Sequence, residues 1–277
     1  MPELPEVEVT RRGLARCLEG QVLVGATIRN AQLRYPVPEQ LADTAPNLVL
    51  ALVRRAKYLI IETSRAAIII HLGMSGTLRY LSVATAPSRH DHVDLHLAQG
   101  GCVRYRDPRR FGAWLWVERP DAEAVNWWES DERLRQLGPE PFDPALTAEC
   151  WYRATRGKKQ EVKRWLMDGR AVVGAGNIYA AESLFLAGID PRRSVGSMGR
   201  VRYARLLEAL RRVLDQAIEA GGSTLRDFVD DRGEMGYFQH SHHVYGRAGK
   251  PCLLCATELR QIRQGQRTTV FCPVCQR

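Results

Sequence analysis

The two ends of this 277-residue chain carry the residues whose types and spacing point most directly to chemistry. Near the C-terminus, Cys252 and Cys255 form one C-x2-C pair and Cys272 and Cys275 a second, with 16 residues between the pairs. Each C-x2-C turn offers two sulfurs, and a hairpin between the turns would gather the four thiolates into a tetrahedral zinc site. Sulfur at all four positions leaves no place for water, so one zinc ion is expected to hold structure rather than activate a nucleophile. The intervening ELRQIRQGQRTTVF fits a β-hairpin turning near Gly265. From His240 onward there are six Lys/Arg and one acidic residue, a balance suited to a phosphate backbone. Cys17, Cys102 and Cys150 show no metal spacing and are expected to be ordinary buried residues.

The other end reads MPELPEVEV. With Met1 removed, Pro2 presents a secondary amine, and chain-terminal amines titrate near neutrality, far below lysine. Such an amine can attack the anomeric carbon of a sugar and form a Schiff base, with Glu3 supplying or accepting a proton. A frayed acidic tail has the same local composition, and on these residues alone the tail is the better reading.

Several internal stretches add weaker signals. VVGAGNIYAAES places Gly174 and Gly176 ahead of Asn177, which is positioned to cap a helix starting at Ile178. Amides at such a start can hold a phosphate, or the glycines simply turn the chain between packed helices. Lys158, Lys159 and Lys163 either extend an anion-binding track or form a solvated helix face. Met74 sits between glycines in HLGMSG, and Arg109, Arg110 and Phe111 share the turn DPRRFG. On exposed loops of a basic protein such apolar side chains can wedge between bases, although most methionines and phenylalanines are core. His90, His92 and His96 alternate as if on one face of a strand, and HSHH follows near residue 240. Neither group is taken as a metal site.

The elements that must position these residues change character along the chain. Residues 5–18 read as a short helix ended by Gly20. The runs NLVLALVRRAKYLIIE, AAIIIHLGMSGTLRYL, HVDLHLA, GCVRYRD and GAWLWVE then read as strands of a sandwich or barrel. A proline-rich break follows, and residues 131–150 are taken as a linker between a β-rich domain, 1–130, and a helical one, 151–240. The helical domain contains KKQEVKRWLMD, IYAAESLFLAGI and GRVRYARLLEALRRVLDQAIEAGG. In the last, Val201, Ala204, Leu207, Leu210, Leu214 and Ile218 recur at helical spacing, leaving Arg202, Arg205, Arg211 and Arg212 to solvent. Ser223 or Thr224 is expected to cap a further helix, TLRDFV, before an irregular loop at 230–243 and the cysteine module at 241–277. The fold class is thus α+β and multidomain. No apolar run reaches membrane-span length and no signal peptide is evident, which predicts a cytoplasmic protein with reduced thiols. A net charge of +9 and a pI near 9.4 point to a polyanionic partner, with nucleic acid ahead of a membrane surface.

Together these stretches resemble the bacterial formamidopyrimidine-DNA glycosylase family along nearly the whole chain. PELPEVE, RRAKYLI, IIIHLGMSG, HDHVDL, DPRRFGAW, WLMD, VVGAGNIYAAESLF, GGSTLRDF, VYGR and the paired C-x2-C ending carry the resemblance, in matching order and spacing. It implies an N-terminal β-sandwich with a helix, a helix–two-turn–helix domain and a zinc finger. It also implies a monomeric, bifunctional base-excision repair glycosylase and AP lyase acting on duplex DNA with oxidised purines or abasic sites. By this resemblance Pro2 attacks the damaged nucleotide, Glu3 donates a proton as the sugar opens, and Glu6 supports the site. Lys57 contacts phosphate and assists elimination, and Arg267 grips the phosphates flanking the lesion. Asn177, Lys158 and His90 fall at DNA contacts, while Met74, Arg109 and Phe111 match the trio that fills the gap left by a flipped-out nucleotide. There are departures: Thr10 lies one place later than usual, Lys163-Arg164 stands where relatives often have Lys-Pro, and DDRGEMGYFQHSHH differs most. Two alternatives remain, an endonuclease VIII-like enzyme for oxidised pyrimidines and a zinc-ribbon lesion sensor without catalysis. PELPE favours the purine enzyme over the first, and the second has no need of Pro2 or Glu3.

Overall fold

The computed structural model describes residues 2–43, 45–83, 85–120, 125–221 and 242–277. The expected cap at Ser223 or Thr224, the helix TLRDFV and most of the 230–243 loop, with His240, lie outside the described residues. The chain clusters into two compact units, one built mainly from Met1–Arg135 and the other from Gln136–Glu219 with the C-terminal stretch.

The first unit starts with α1 (Leu4–Leu18), whose Leu4, Val7, Leu14 and Leu18 form a buried stripe at helical spacing. Gly20, at φ +79°, turns the chain out of the helix. Eight antiparallel strands follow: β1 (Val22–Ile28), β2 (Asn47–Arg55), β3 (Tyr58–Thr63), β4 (Ala66–His71), β5 (Thr77–Leu81), β6 (Asp91–Leu97), β7 (Cys102–Arg106) and β8 (Ala113–Glu118). Their hydrogen-bonded order is β5-β7-β6-β1-β2-β3-β4-β8. Leu23, Leu95, Val103 and Tyr105 of the first half share one core with Leu52, Ile61, Ile68 and Trp114 of the second, and α1 joins it through Val7, Leu14 and Leu18. This is the sandwich with a helix.

Two strand features departed from the sequence reading. β1 was not among the expected runs. Gly25 interrupts it at φ +117°, and its pairing with β6 shifts register between Leu23 and Ala26, so it lacks clean alternation. The run NLVLALVRRAKYLIIE is two strands, turning at Ala56 and Lys57 with Ala56 at φ +54°. A short α2 (Glu132–Arg135) ends this unit.

The second unit contains α3 (Ala148–Ala154), α4 (Val162–Met167), α5 (Asn177–Leu186) and α6 (Arg200–Glu219). α3 begins inside the stretch read as linker, capped by Thr147 Oγ1, which accepts from Cys150 N at 3.3 Å. Trp151, Trp165 and Tyr203 pack edge-on with ring centroids 5.3–6.1 Å apart. The buried face of α6 holds the expected Leu207, Leu210, Leu214 and Ile218 together with Tyr203, Leu206, Val213 and Ala217, whereas Val201 and Ala204 are exposed. Arg211 is not a solvated charge. It donates to the carbonyls of Pro141, Asp143 and Leu146 at 2.7–3.0 Å and so pins the segment before α3.

The chain ends in a hairpin, β9 (Arg260–Gln264) and β10 (Arg267–Phe271), whose two-residue turn has Gly265 at φ +60°. Val244, Leu259 and Val270 pack on Ala181 and Phe185 of α5. Of the three remaining cysteines, Cys102 is buried, Cys17 is half-buried and Cys150 is exposed. Among the described residues no helix is long and apolar enough to cross a membrane.

Candidate functional site

Pro2 and Glu3 lead directly into α1, with no frayed tail between them and the helix. Glu3 is the N-cap, and a reciprocal capping box ties it to Glu6: the Glu3 carboxylate accepts the Glu6 amide, and Glu6 Oε2 accepts the Glu3 amide at 2.7 Å. Both carboxylates are buried. Thr10 Oγ1 donates to Glu6 O at 2.8 Å one turn later. The helix start therefore holds the Glu3 carboxyl one residue from the Pro2 nitrogen.

The same helix reaches the Lys57 turn. Glu8 binds Arg11 and Arg12, and Arg54 Nε lies 3.3 Å from Glu8 while its Nη1 donates to Ala56 O at 3.1 Å. Burial pushes the Glu8 carboxyl up, and the Arg11 and Arg12 hydrogen bonds with the Arg54 charge reverse this and hold it below the usual range. Arg54 thus couples α1 to the backbone next to Lys57. On β4, His71 Nδ1 accepts from Gly73 N at 3.0 Å, which places its proton on Nε2. Burial, with the charges of Lys57 and Arg34 close by, lowers the His71 pKa to about 4, so this ring is neutral near pH 7.

The loops carrying Met74 and Arg109–Phe111 meet backbone to backbone. A Cβ on Gly73 would stand 2.4 Å from Phe111 C, and one on Gly112 would stand 1.7 Å from Tyr105 Oη. Only glycine permits that approach. Buried Asp107 is the hub: its carboxylate accepts from Ser75 Oγ at 2.5 Å, Gly112 N at 2.9 Å and Tyr105 Oη at 3.0 Å. Arg110 sits at φ +56°, which turns Phe111 out to 47% exposure with the Arg109 guanidinium 4.9 Å from its ring centre. Met74 is half-buried on the facing turn.

The histidines are not on one face. His90 precedes β6, and its carbonyl accepts from Asp107 N at 3.0 Å. His92 is buried, with Nε2 donating to Asp107 O at 2.9 Å, and His96 Nε2 lies 2.7 Å from Thr27 Oγ1. A register shift between Asp91 and Val93 breaks the alternation.

In the second unit, Asn177 is the first residue of α5 and Gly176 is its cap, so Asn177 is not the capping residue. Its side chain instead bridges to the hairpin, accepting from Lys163 Nζ at 2.6 Å and donating to Thr268 O at 3.2 Å. Lys163 Nζ also donates to Thr269 Oγ1 at 2.8 Å and is almost fully buried. The lysine that meets Asn177 is therefore Lys163, whereas Lys158 is an exposed loop residue. In the sequence Lys163 stands out as one of three lysines and as part of the Lys163-Arg164 pair before WLMD. Its period within a short helix gave no sign that it faces inward. Arg267 starts β10 beside the turn, opposite Gln264, and is exposed.

The four cysteine sulfurs lie within 4.8 Å of one another, with Cys252–Cys275 at 3.9 Å and Cys255–Cys272 at 3.5 Å. A tetrahedral ion with Zn–S near 2.3 Å requires S–S edges of about 3.8 Å. Backbone amides of Leu254 and Cys275 point at Cys252 and Cys272 sulfurs at 3.5 and 3.4 Å, as amides around bound thiolates do. The donor set fits one structural zinc.

Comparison with known proteins matches this arrangement segment by segment. Residues 1–114 match the formamidopyrimidine-DNA glycosylase N-terminal domain, 137–229 the formamidopyrimidine-DNA glycosylase H2TH domain, and 249–277 the zinc finger found in FPG and IleRS. The formamidopyrimidine-DNA glycosylase of Alkalilimnicola ehrlichii is 52% identical over the full length of both chains, and that of Pseudomonas aeruginosa 50%. The chain belongs to the formamidopyrimidine-DNA glycosylase family. Among solved members, the Thermus thermophilus MutM (Fpg) protein superposes with a TM-score of 0.84 at 37% identity, covering 99% of this chain and 98% of that one. Lactococcus lactis Fpg in complex with an abasic site containing DNA gives 0.87 at 30% identity and 99% coverage of both chains. Within this family frame, Asp107, Arg54, His71 and Lys163 are the supporting residues that sequence reasoning missed. Asp107 lay in the quoted turn DPRRFG, where an Asp before Pro signals only a turn.

Proposed function

We propose that the chain is a bifunctional DNA glycosylase and AP lyase that removes oxidised purines, 8-oxoguanine and formamidopyrimidines, from duplex DNA in the cytoplasm. The observation that carries this reading is Pro2 set at the head of α1, with Glu3 held beside it by the Glu6 capping box. With Met1 removed, the Pro2 nitrogen forms a bond to C1′ as the bond from C1′ to the base breaks, the base leaving with the electron pair and gaining a proton. Glu3 protonates the ring oxygen as the sugar opens, leaving an iminium between Pro2 and C1′. Loss of a proton from C2′ expels the 3′ phosphate, and a second elimination expels the 5′ phosphate. Hydrolysis of the imine frees the amine. Lys57 is placed to hold phosphate and assist elimination, and Arg267 and Asn177 hold the flanking backbone with His90 and Lys158 as further DNA contacts.

Met74, Arg109 and Phe111 fill the gap left by the flipped nucleotide, a displacement the attack requires because a stacked base hides C1′. The shared Asp107 hub supports this, since it sets both loops as one piece. Zinc held by Cys252, Cys255, Cys272 and Cys275 keeps the hairpin in shape and takes no part in bond making.

Borohydride trapping on a duplex with 8-oxoguanine opposite cytosine tests the reading. A covalent adduct is expected for the processed protein, none for Pro2→Gly, and lesion binding without base excision for Glu3→Gln. Tight binding with no adduct would leave a lesion sensor. A stronger adduct on a thymine glycol duplex would move the substrate to oxidised pyrimidines.

A further inference from the structure

The second unit holds a guanidinium that the mechanism above does not use. Arg164 lies on α4 beside Lys163, and an ideal Cβ on Gly265 would stand 3.9 Å from its Nε. The side chain therefore reaches the turn of the zinc-finger hairpin. Arg164 and Arg267 line the same cavity of about 190 Å³, with Lys163, Gln264 and Gln266 around them.

The three basic groups are in different states. Lys163 is buried and committed to Asn177 and Thr269. Arg164 and Arg267 are exposed, and among the described residues neither side chain has an ion pair or hydrogen bond. Asp168, one turn beyond Arg164 and on the same cavity wall, does not neutralise it; its Oδ1 accepts from Arg170 N at 2.7 Å. Two guanidinium groups around one concavity, unpaired among the described residues, offer forked donors to a tetrahedral anion, and binding one breaks no ion pair among those residues.

We infer that Arg164 is a second phosphate-binding guanidinium, which with Arg267 holds a backbone phosphodiester of the bound duplex in the cavity beneath the finger turn. This rests on the glycosylase reading, which supplies the DNA. Arg164 holds the strand and does not touch the reacting sugar.

The test is the salt dependence of binding to a duplex carrying a tetrahydrofuran abasic analogue, measured by fluorescence anisotropy from 50 to 200 mM KCl. Each phosphate contact contributes about 0.9 to the slope of log K against log salt. Arg164→Ala and Arg164→Gln are expected to lower the slope by about 0.9 and weaken binding several-fold near 100 mM, while Arg164→Lys keeps the slope. Single-turnover cleavage of a separate duplex carrying 8-oxoguanine opposite cytosine, at saturating DNA, stays at the wild-type rate, and zinc content stays at one per chain. An unchanged slope in Arg164→Ala, with normal lesion binding, overturns the inference and leaves the glycosylase reading intact. If the wild-type protein shows no preference for the lesion duplex, the glycosylase reading itself fails and the inference falls with it.

Discussion

The two units build rigid functional surfaces by different physical means. In the first, α1 and eight strands share one large apolar core, and the segment from Pro2 is fixed to it by a capping box and by the Glu8–Arg54–Ala56 link. In the second, the hairpin shares only a small apolar cluster with α5, including two of its own cysteines, and depends on four sulfurs and on Lys163 and Asn177. A short basic hairpin cannot bury enough surface to hold itself, so a metal supplies the missing free energy. Packing thus orders the residues around Pro2 and Glu3, while coordination orders the hairpin.

Zinc removal has the largest predicted effect. Chelation, or Cys272→Ser, should unfold the hairpin and reduce DNA affinity by about 100-fold or more, because structural zinc binding is folding free energy. The melting transition of the first unit should not move. A common shift in both would erase the distinction drawn here. Next comes Gly112→Ala, whose methyl would overlap Tyr105 Oη and force the Phe111 turn off Asp107. A loss of about 3 kcal/mol, read by denaturant midpoint of the first unit, is expected from overpacking with a broken buried hydrogen bond. Zinc content should be unaffected.

One pH response belongs to the first unit. His71 has its pKa lowered to about 4 in the folded state, against an ordinary 6.5. Between these values the unfolded chain binds more protons than the folded one, so stability rises with pH through that window and is lost as pH falls from 6.5 towards 4. The full swing is at most about 3 kcal/mol. Replacement by Gln should flatten the melting temperature over that range; an unchanged slope would refute the assignment. The smallest effect is Glu8→Gln, about 1 kcal/mol in the stability of the first unit, since the pairs it breaks are only partly buried. Coupling to Arg54→Ala in a double-mutant cycle should be measurable, whereas coupling to Lys163→Met should be nil.

The legible features were those set by neighbours in the sequence. The α1 periodicity, the hairpin with its Gly265 turn and the two C-x2-C pairs all depend on contacts a few residues apart. So does the DPRRFG turn. Where inference fell short, a distant partner decided the outcome. Arg211 has helical spacing suited to solvent yet binds three carbonyls, and Asn177 stands at a helix start yet serves the hairpin. β1 went unseen because its glycine and bulge hide an alternation that only pairing with β6 restores.

By itself the sequence determined the zinc ligands, the family, and the presence of a helix behind Pro2, because residue type and short spacing suffice for these. Tertiary structure alone decided that His71 is neutral, that Lys163 rather than Lys158 meets Asn177, and that Met74 and Phe111 stand on one piece. Those outcomes depend on burial and on which backbone groups arrive from elsewhere in the chain, and neither has a local sequence signature.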